Sequence, residues 1–323
     1  MSAFSHSRHA ILKNIDVMNE KMEIVQSMID YNSFDKQTLI EILQSFGNEL
    51  PIVRLVLSAD QKIIRTRCNN NADFFYTESE LSYPPKEFAR TDRASLEGKP
   101  MFYASIFTSS VESNNAYPRI ISALETVDLI KDKATSGSCL ITQSVWTVDN
   151  PIKLFSFPMH NGYYARACNE IVFLQEAWEN VLVNQFPKES VEFFSYIGRL
   201  MAAPKRNCLY NVTSTCVDYV LSRYTDCGGI LYPSVPSSGE GINICVNPSI
   251  VDSHVSLEGA MIEWLVKNKS ESSIYNIARS NKISNDEFEW LVTEDGKKIL
   301  LKLNLIPKHL CENEIAIRRC ISE

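Results

Sequence analysis

The chain has no basic block and no long apolar run, and both absences restrict what it can do. Acidic residues outnumber basic ones by 39 to 32, which gives a formal charge of −7 over 323 residues. A nucleic-acid footprint or a surface for anionic membranes is therefore poorly supported, and any anion site has to be local. The short, interrupted apolar stretches exclude a membrane-spanning helix, and the N-terminus lacks the apolar core of a signal peptide. We expect a cytoplasmic protein.

Signals for metals, disulfides and common catalytic sites are also missing. The nine cysteines include no C-x-x-C pair, and the five histidines lack the H-E-x-x-H and H-x-x-x-H spacings. The odd number of cysteines indicates reduced, mostly buried thiols, and no zinc site is predicted. The phosphate-binding G-x-x-x-x-G-K-[ST] loop, the G-x-S-x-G elbow and the G-x-G-x-x-G turn do not occur either. Any active site must be built from scattered residues.

The first 50 residues predict a helical hairpin. Between residues 11 and 29, apolar residues recur at alternating spacings of four and three, which is typical of a helix with a narrow apolar seam. A second helix is predicted over about residues 35–46, with Ser33 or Asp35 as its N-cap and Gly47 as its stop. The seam either braces the core of its own chain or forms a homodimer or partner-binding surface.

After Pro51 the pattern changes to short β-branched runs that are separated by turn residues. Helices are predicted between these runs, over residues 117–131 and over residues 171–224, with interruptions near Pro187 and Pro204. Strands and helices are mixed without regular β-α-β alternation. This order predicts an α+β fold in preference to a doubly wound sheet.

The tail carries two further patterns. The stretch "AMIEWLVKN" predicts a helix, and "EFEWLVTEDGKKILLKLNLIP" predicts two strands joined by an Asp-Gly turn. We therefore divide the chain into a helical hairpin (residues 1–50), a main domain (residues 51–256) and an α/β extension (residues 257–323).

A scattered set of polar residues beside strands and small residues is left to carry chemistry. In the predicted strand "KIIRTRC", two arginines alternate and therefore share one face. Taken singly, each member has an ordinary structural interpretation, such as a surface ion pair for a strand arginine or core packing for a strand tyrosine. The set consists of Arg65, Arg67, Arg93, Tyr103, Glu125 and Ser234.

The order of this set resembles that of the RES domain family, which is named for arginine, glutamate and serine residues in its active site. The resemblance is to the longer members, with an N-terminal helical extension, and runs from about Arg54 to Ser253. Many family members have a glycine-rich "GGRWN"-like loop where this chain has "ARTDRASLEGKP". The matching landmarks are "IIRTR", "ELSYPP", "TDRAS", "PMFYAS", "SALETV" and "GGILYPSV" followed by "GEGINI".

The resemblance implies a mixed α/β fold, like that of ADP-ribosyltransferases, that holds NAD in a cleft and breaks its nicotinamide–ribose bond. The implied activity is that of an NAD phosphorylase or NAD glycohydrolase from a toxin–antitoxin module, with NAD as substrate and without a bound cofactor. An antitoxin blocks the cleft in such modules, and the extra termini here point to an effector of an antiphage defence system. Two alternatives stay open: an ADP-ribosyltransferase that modifies a macromolecule, and a non-catalytic interaction protein that retains the fold.

The resemblance also implies roles for the arginines. NAD carries a dianionic pyrophosphate, and the planar guanidinium fork suits phosphate oxygens. Arg65 and Arg67, with Arg93 opposite, are expected to grip this group.

The other three residues are expected to act on the ribose and the bases. A carboxylate stabilises the cationic ribose that forms as the glycosidic bond breaks, and Glu125 is the candidate. Tyr103 is expected to stack on nicotinamide or a base, and Ser234 to bind the ribose or carboxamide. Ser234 is not proposed as a nucleophile, since no histidine is placed as its base.

Overall fold

The computed structural model describes eight stretches of the chain, within which ten strands form one sheet. None of the helices in these stretches combines the length and the apolar content of a membrane span. The stretches are residues 20–69, 74–107, 117–131, 134–159, 168–237, 239–269, 271–282 and 286–303.

The sheet is antiparallel throughout, except that β5 and β6 pair in parallel. Its strand order is β1-β5-β6-β7-β3-β2-β4-β8-β9-β10. The strands are β1 (Val53–Leu57), β2 (Lys62–Cys68), β3 (Phe102–Ile106), β4 (Gly137–Val148), β5 (Ile152–Ser156), β6 (Gly229–Pro233), β7 (Ile242–Val246), β8 (Val255–Asn268), β9 (Glu271–Lys282) and β10 (Phe288–Val292).

Helices lie between the strands without regular alternation, so the predicted α+β class is confirmed. A 3₁₀ turn covers Lys86–Phe88, and a π turn covers Trp178–Leu182. The helices are α1 (residues 20–30), α2 (Lys36–Gln44), α3 (Glu78–Leu81), α4 (Tyr117–Thr126), α5 (Asp128–Lys131), α6 (Asn169–Ala177), α7 (Lys188–Met201), α8 (Leu209–Arg223), α9 (Pro248–His254) and α10 (Glu294–Lys302).

The sheet separates locally between β2 and β3. These strands pair only at Ile63 with Ile106 and at Ile64 with Ser105. Beyond Ile64, β2 continues to Cys68 alongside β4, while β3 stays paired with β7. The two strands therefore diverge, which opens a gap in the middle of the sheet.

The N-terminal hairpin packs on the core of its own chain. Asp35 caps α2 by accepting a hydrogen bond from the Gln37 N–H at 3.0 Å, and Gly47 follows the helix with a φ of 84°, as predicted. Val25 and Ile29 of α1 are fully buried in a cluster shared with α2, α7 and α8. The predicted seam is thus covered over its described half, and its first half lies outside the described residues.

The prediction of a helix at "AMIEWLVKN" is wrong, because this stretch lies inside β8. The strand pairs with β4 on one side and with β9 on the other. Burial alternates along β8 but shifts by one residue at Ile262 and Glu263, where the pairing with β9 is irregular, so the stretch loses the simple alternation that marks a strand. The boundary predicted after residue 256 also falls within β8, and β8 to β10 continue the same sheet.

The prediction of a second strand after the Asp-Gly pair is also wrong. Thr293 caps α10 by accepting a hydrogen bond from the Gly296 N–H at 2.9 Å, and two acidic residues occupy the first turn. A Cβ on Gly296 would lie 2.2 Å from the Ile277 carbonyl oxygen. The glycine therefore allows the helix to approach β9 and does not form a hairpin turn.

We expect Ile29→Ala to lower the free energy of unfolding by about 2–5 kcal/mol, because it leaves a cavity under α1. Ile24→Ala is the matched control on the same helix, since Ile24 is 36% exposed, and should cost about 0.5 kcal/mol or less. Urea denaturation measures both. Equal, small effects would mean that α1 does not contribute to the core.

Candidate active site

A cleft of about 1150 Å³ lies where β2 and β3 diverge. Its walls come from both strands, the segment 84–95, α4 and the connection between α7 and α8. The volume is that of a site for a large ligand, above the usual range for drug-sized molecules. Five of the six residues predicted from the sequence line it: Arg65, Arg67, Arg93, Tyr103 and Glu125.

The charge of the cleft is opposite to that of the protein. Six cationic and three acidic side chains line it, whereas the whole chain carries −7. The cations are Arg65, Arg67, Arg90, Arg93, Lys131 and Lys205, and the acids are Asp92, Glu125 and Asp128. The cleft is therefore locally cationic in a protein that is acidic as a whole.

Arg65 bridges the gap between the diverging strands. Its Nη1 donates a hydrogen bond to the carbonyl oxygen of Tyr103 on β3 at 2.9 Å. Its Nε donates to the carbonyl oxygen of Leu81 at 3.1 Å, and its guanidinium lies 5.4 Å from the ring centre of Phe102. Burial, together with the neighbouring Arg67 cation, lowers the pKa of Arg65 to about 10. The side chain is therefore still charged at neutral pH.

Arg67 lies on the same face as Arg65, as the strand alternation predicts. Its Nη1 donates to the Glu80 carbonyl oxygen, and its guanidinium lies 4.7 Å from the ring centre of Phe75. Burial lowers its pKa from the ordinary arginine value. Both arginines thus contact the last carbonyls of α3, where a cation is favoured. Their shared face has a structural reason besides any ligand.

Arg93 is buried and joins the segment 84–95 to the α7–α8 connection. Its Nη1 donates to the carbonyl oxygens of Met201 at 2.5 Å and Ala203 at 3.0 Å. Its Nη2 donates to the Tyr210 hydroxyl at 2.9 Å. The guanidinium is more fully engaged in protein contacts than that of Arg65, and it holds one wall of the cleft.

Tyr103 fixes the same wall from β3. Its hydroxyl accepts a hydrogen bond from the Ala94 N–H at 3.1 Å and donates to the Ser95 Oγ at 3.0 Å. Burial raises the pKa of Tyr103 well above its ordinary value, so the hydroxyl stays protonated. Because the hydroxyl is engaged in these hydrogen bonds, the ring is the part of this side chain that can contact a ligand.

Glu125 is half-buried on α4 and is held by a chain of hydrogen bonds. Its Oε1 accepts from the Asn243 Nδ2 at 2.8 Å, and the Asn243 Oδ1 accepts from the Ser105 Oγ at 2.7 Å. Sequence reasoning missed Asn243 and Ser105. The sequence did contain one signal for Asn243, because an asparagine inside the otherwise apolar strand "INICV" needs a buried hydrogen-bond partner.

A buried polar network fastens α4 to the sheet. The Thr66 Oγ1 donates to the Ser122 Oγ at 2.8 Å and accepts from the Gln143 Nε2 at 3.0 Å. Arg119 of α4 donates to the Gln143 Oε1 at 3.0 Å and forms an ion pair with the buried Glu263. The network holds the helix that carries Glu125.

Ser234, the sixth predicted residue, is fully buried and does not line the cleft. Its backbone N–H donates to the Gly241 carbonyl oxygen at 2.8 Å, and its Oγ has no hydrogen-bond partner among the described residues. Its neighbours Tyr232 and Val235 both line the cleft. Ser234 therefore sits within the wall and leaves one hydroxyl unsatisfied.

Neither family models nor curated proteins supply a relative: no family model matches the chain, and no curated protein matches it. Within the described stretches, no group of three or more histidine, cysteine, aspartate or glutamate side chains is placed to hold a metal ion. The seven cysteines of these stretches are free thiols.

We expect Arg93→Met to lower the free energy of unfolding by about 3 kcal/mol, because the buried Met201 carbonyl and the partly buried Ala203 carbonyl lose their donor. Arg90→Met is the control, since Arg90 is exposed and pairs with Glu97 only at 3.8 Å. It should change the unfolding free energy by about 0.5 kcal/mol or less. A silent Arg93→Met in urea denaturation would show that this wall does not depend on the arginine.

Proposed function

We propose that this protein cleaves the bond between nicotinamide and ribose in NAD, as an NAD phosphorylase or an NAD glycohydrolase. One observation carries the proposal: a cleft with six cationic side chains surrounds a fixed carboxylate in an acidic protein. NAD needs both features. Its pyrophosphate is anionic, while its ribose becomes cationic as the bond breaks.

In this proposal Arg65 and Arg67 bind the pyrophosphate. The guanidinium group has five N–H donors, and Arg65 uses two of them on the carbonyl oxygens of Leu81 and Tyr103. The other N–H groups of the fork make no hydrogen bond to the residues that the structure describes. An arginine already fixed by backbone carbonyls binds phosphate without ordering a flexible side chain.

Glu125 stabilises the cationic ribose. The bond from the ribose C1′ to the nicotinamide nitrogen breaks, and its electron pair neutralises the pyridinium as nicotinamide leaves. An oxygen of water or of inorganic phosphate then forms the new bond to C1′, and if water attacks, it loses one proton to the solvent. The carboxylate is positioned beforehand by Asn243, so little reorganisation accompanies the charge development.

Two of the remaining predicted residues take supporting roles in this proposal. The Tyr103 ring forms a wall against nicotinamide or a base, and Arg93 holds the same wall in place. Ser234 lies within the wall, where its N–H is bonded to the Gly241 carbonyl oxygen, and it does not reach the ribose or the carboxamide as predicted.

The proposed biological role follows from the resemblance to RES proteins. The protein acts in the cytoplasm as a toxin or defence effector that depletes NAD, and an antitoxin-like partner protein restrains it by covering the cleft. A homodimer is part of the same proposal, through the face of the N-terminal helices that the core of the chain leaves exposed.

To test the activity, the purified protein is incubated with NAD, with and without inorganic phosphate, and the products are identified. Nicotinamide with ADP-ribose means hydrolysis, and ADP-ribose 1-phosphate means phosphorolysis. ADP-ribose attached to a protein or nucleic acid would favour the transferase alternative. Intact NAD under all conditions would contradict the proposal.

We expect Glu125→Gln to lower kcat for NAD cleavage by about 10²–10³-fold, because a neutral amide cannot stabilise the cationic ribose. The amide oxygen can still accept the Asn243 hydrogen bond, so stability should be nearly unchanged. Glu87→Gln, at an exposed position outside the cleft lining, should leave kcat unchanged. An effect of less than about tenfold would remove Glu125 from the chemistry.

We expect Arg65→Lys to lower kcat/KM for NAD by about tenfold or more, since lysine keeps the charge but loses the fork. Nicotinamide mononucleotide has the scissile bond and only one phosphate, so its smaller kcat/KM should fall less. Arg67→Lys tests the second arginine, and Arg54→Lys on the exposed face of β1 is the control. If both variants in the cleft match the control, neither arginine binds pyrophosphate.

A further inference from the structure

An exposed aromatic side chain, Phe88, stands on the wall of the cleft. It is 64% exposed, although phenylalanine is usually buried in a folded protein. Its ring belongs to none of the hydrophobic clusters formed by the described residues. Folding therefore leaves a large apolar surface open to the cleft.

The backbone that carries Phe88 is well fixed. The Phe88 N–H donates to the Pro85 carbonyl oxygen at 3.0 Å, which closes the 3₁₀ turn after two prolines. The next residue, Ala89, is buried, and its carbonyl oxygen accepts from the Gly98 N–H at 3.2 Å. The ring is thus presented from an anchored segment.

The charge around Phe88 favours a nucleotide as its partner. Phe88 shares the cleft with six cationic side chains, and Arg90, two residues away, is one of them. A nucleotide combines anionic phosphate with a flat base, and bases stack on aromatic rings with little dependence on sequence. The carboxylate of Glu125 is assigned to the nicotinamide ribose, so the adenine end of NAD still needs an apolar contact.

We propose that Phe88 is the stacking platform for the adenine ring of an adenine dinucleotide. This inference rests on the proposed function, and it adds the reason why the site prefers a dinucleotide to nicotinamide mononucleotide. The adenosine half binds through the Phe88 ring, and the pyrophosphate lies between this platform and Glu125.

The test measures binding of ADP-ribose by isothermal titration calorimetry, so it does not depend on NAD cleavage. Phe88→Ala should weaken binding by about tenfold or more, as loss of base stacking does. Phe88→Leu should weaken ADP-ribose binding similarly, because leucine is apolar but has no flat face. Phe88→Trp should retain the binding. Phe173→Ala is the matched control, since Phe173 is 67% exposed on α6 outside the cleft, and it should bind as the unchanged protein does.

Each outcome separates the platform from the activity. If Phe88→Ala binds ADP-ribose with an affinity within about twofold of that of the unchanged protein, the stacking role of Phe88 is contradicted, even if NAD is cleaved. Phe88 would then be a contact for a protein partner. Absence of ADP-ribose binding by the unchanged protein also overturns it. Binding that depends on Phe88 in a protein that leaves NAD intact supports the platform and contradicts the proposed activity.

Discussion

The hydrogen bond from the Arg65 guanidinium to the Tyr103 carbonyl oxygen holds the structure together where the sheet opens. Two strands that pair at only two positions leave backbone groups facing a gap, and buried carbonyls need donors. Arg65 supplies the donor from one strand to the other. Burial of its charge is unfavourable, as the pKa of about 10 shows, and two carbonyls and the Phe102 ring offset this cost. The gap therefore persists as a cleft that contains a cation.

The acid in this cleft is as firmly fixed as the cation. Asn243 holds Glu125 directly, and the network from Thr66 through Gln143 to Arg119 and Glu263 holds its helix. A buried ion pair at the end of such a network adds little net stability but specifies one position for the helix. The cleft therefore holds a cation and a carboxylate at fixed positions before any ligand binds. In the proposed reaction, this preorganisation favours the positive charge that develops on the ribose as its bond to nicotinamide breaks.

The sequence predicted much of this arrangement where local rules decide it. Strand alternation placed Arg65 and Arg67 on one face, and the cap at Asp35 placed α2. Prediction from the sequence failed where contacts between distant parts of the chain determine the structure. A strand whose alternation is interrupted by an irregular pairing resembles a helix in its apolar pattern, and Gly296 is required by contact with β9, not by a turn. The roles of Asn243 and Phe88 depend on which strands and turns meet at the cleft, which spacing along the chain does not reveal.

The most direct test of the central claim is a crystal structure of the protein with ADP-ribose. The account predicts the pyrophosphate within hydrogen-bond distance of the guanidinium groups of Arg65 and Arg67, with the terminal ribose facing the Glu125 carboxylate. Density for the ligand outside the cleft, or phosphates away from both arginines, would contradict the assignment of the cleft as a dinucleotide site.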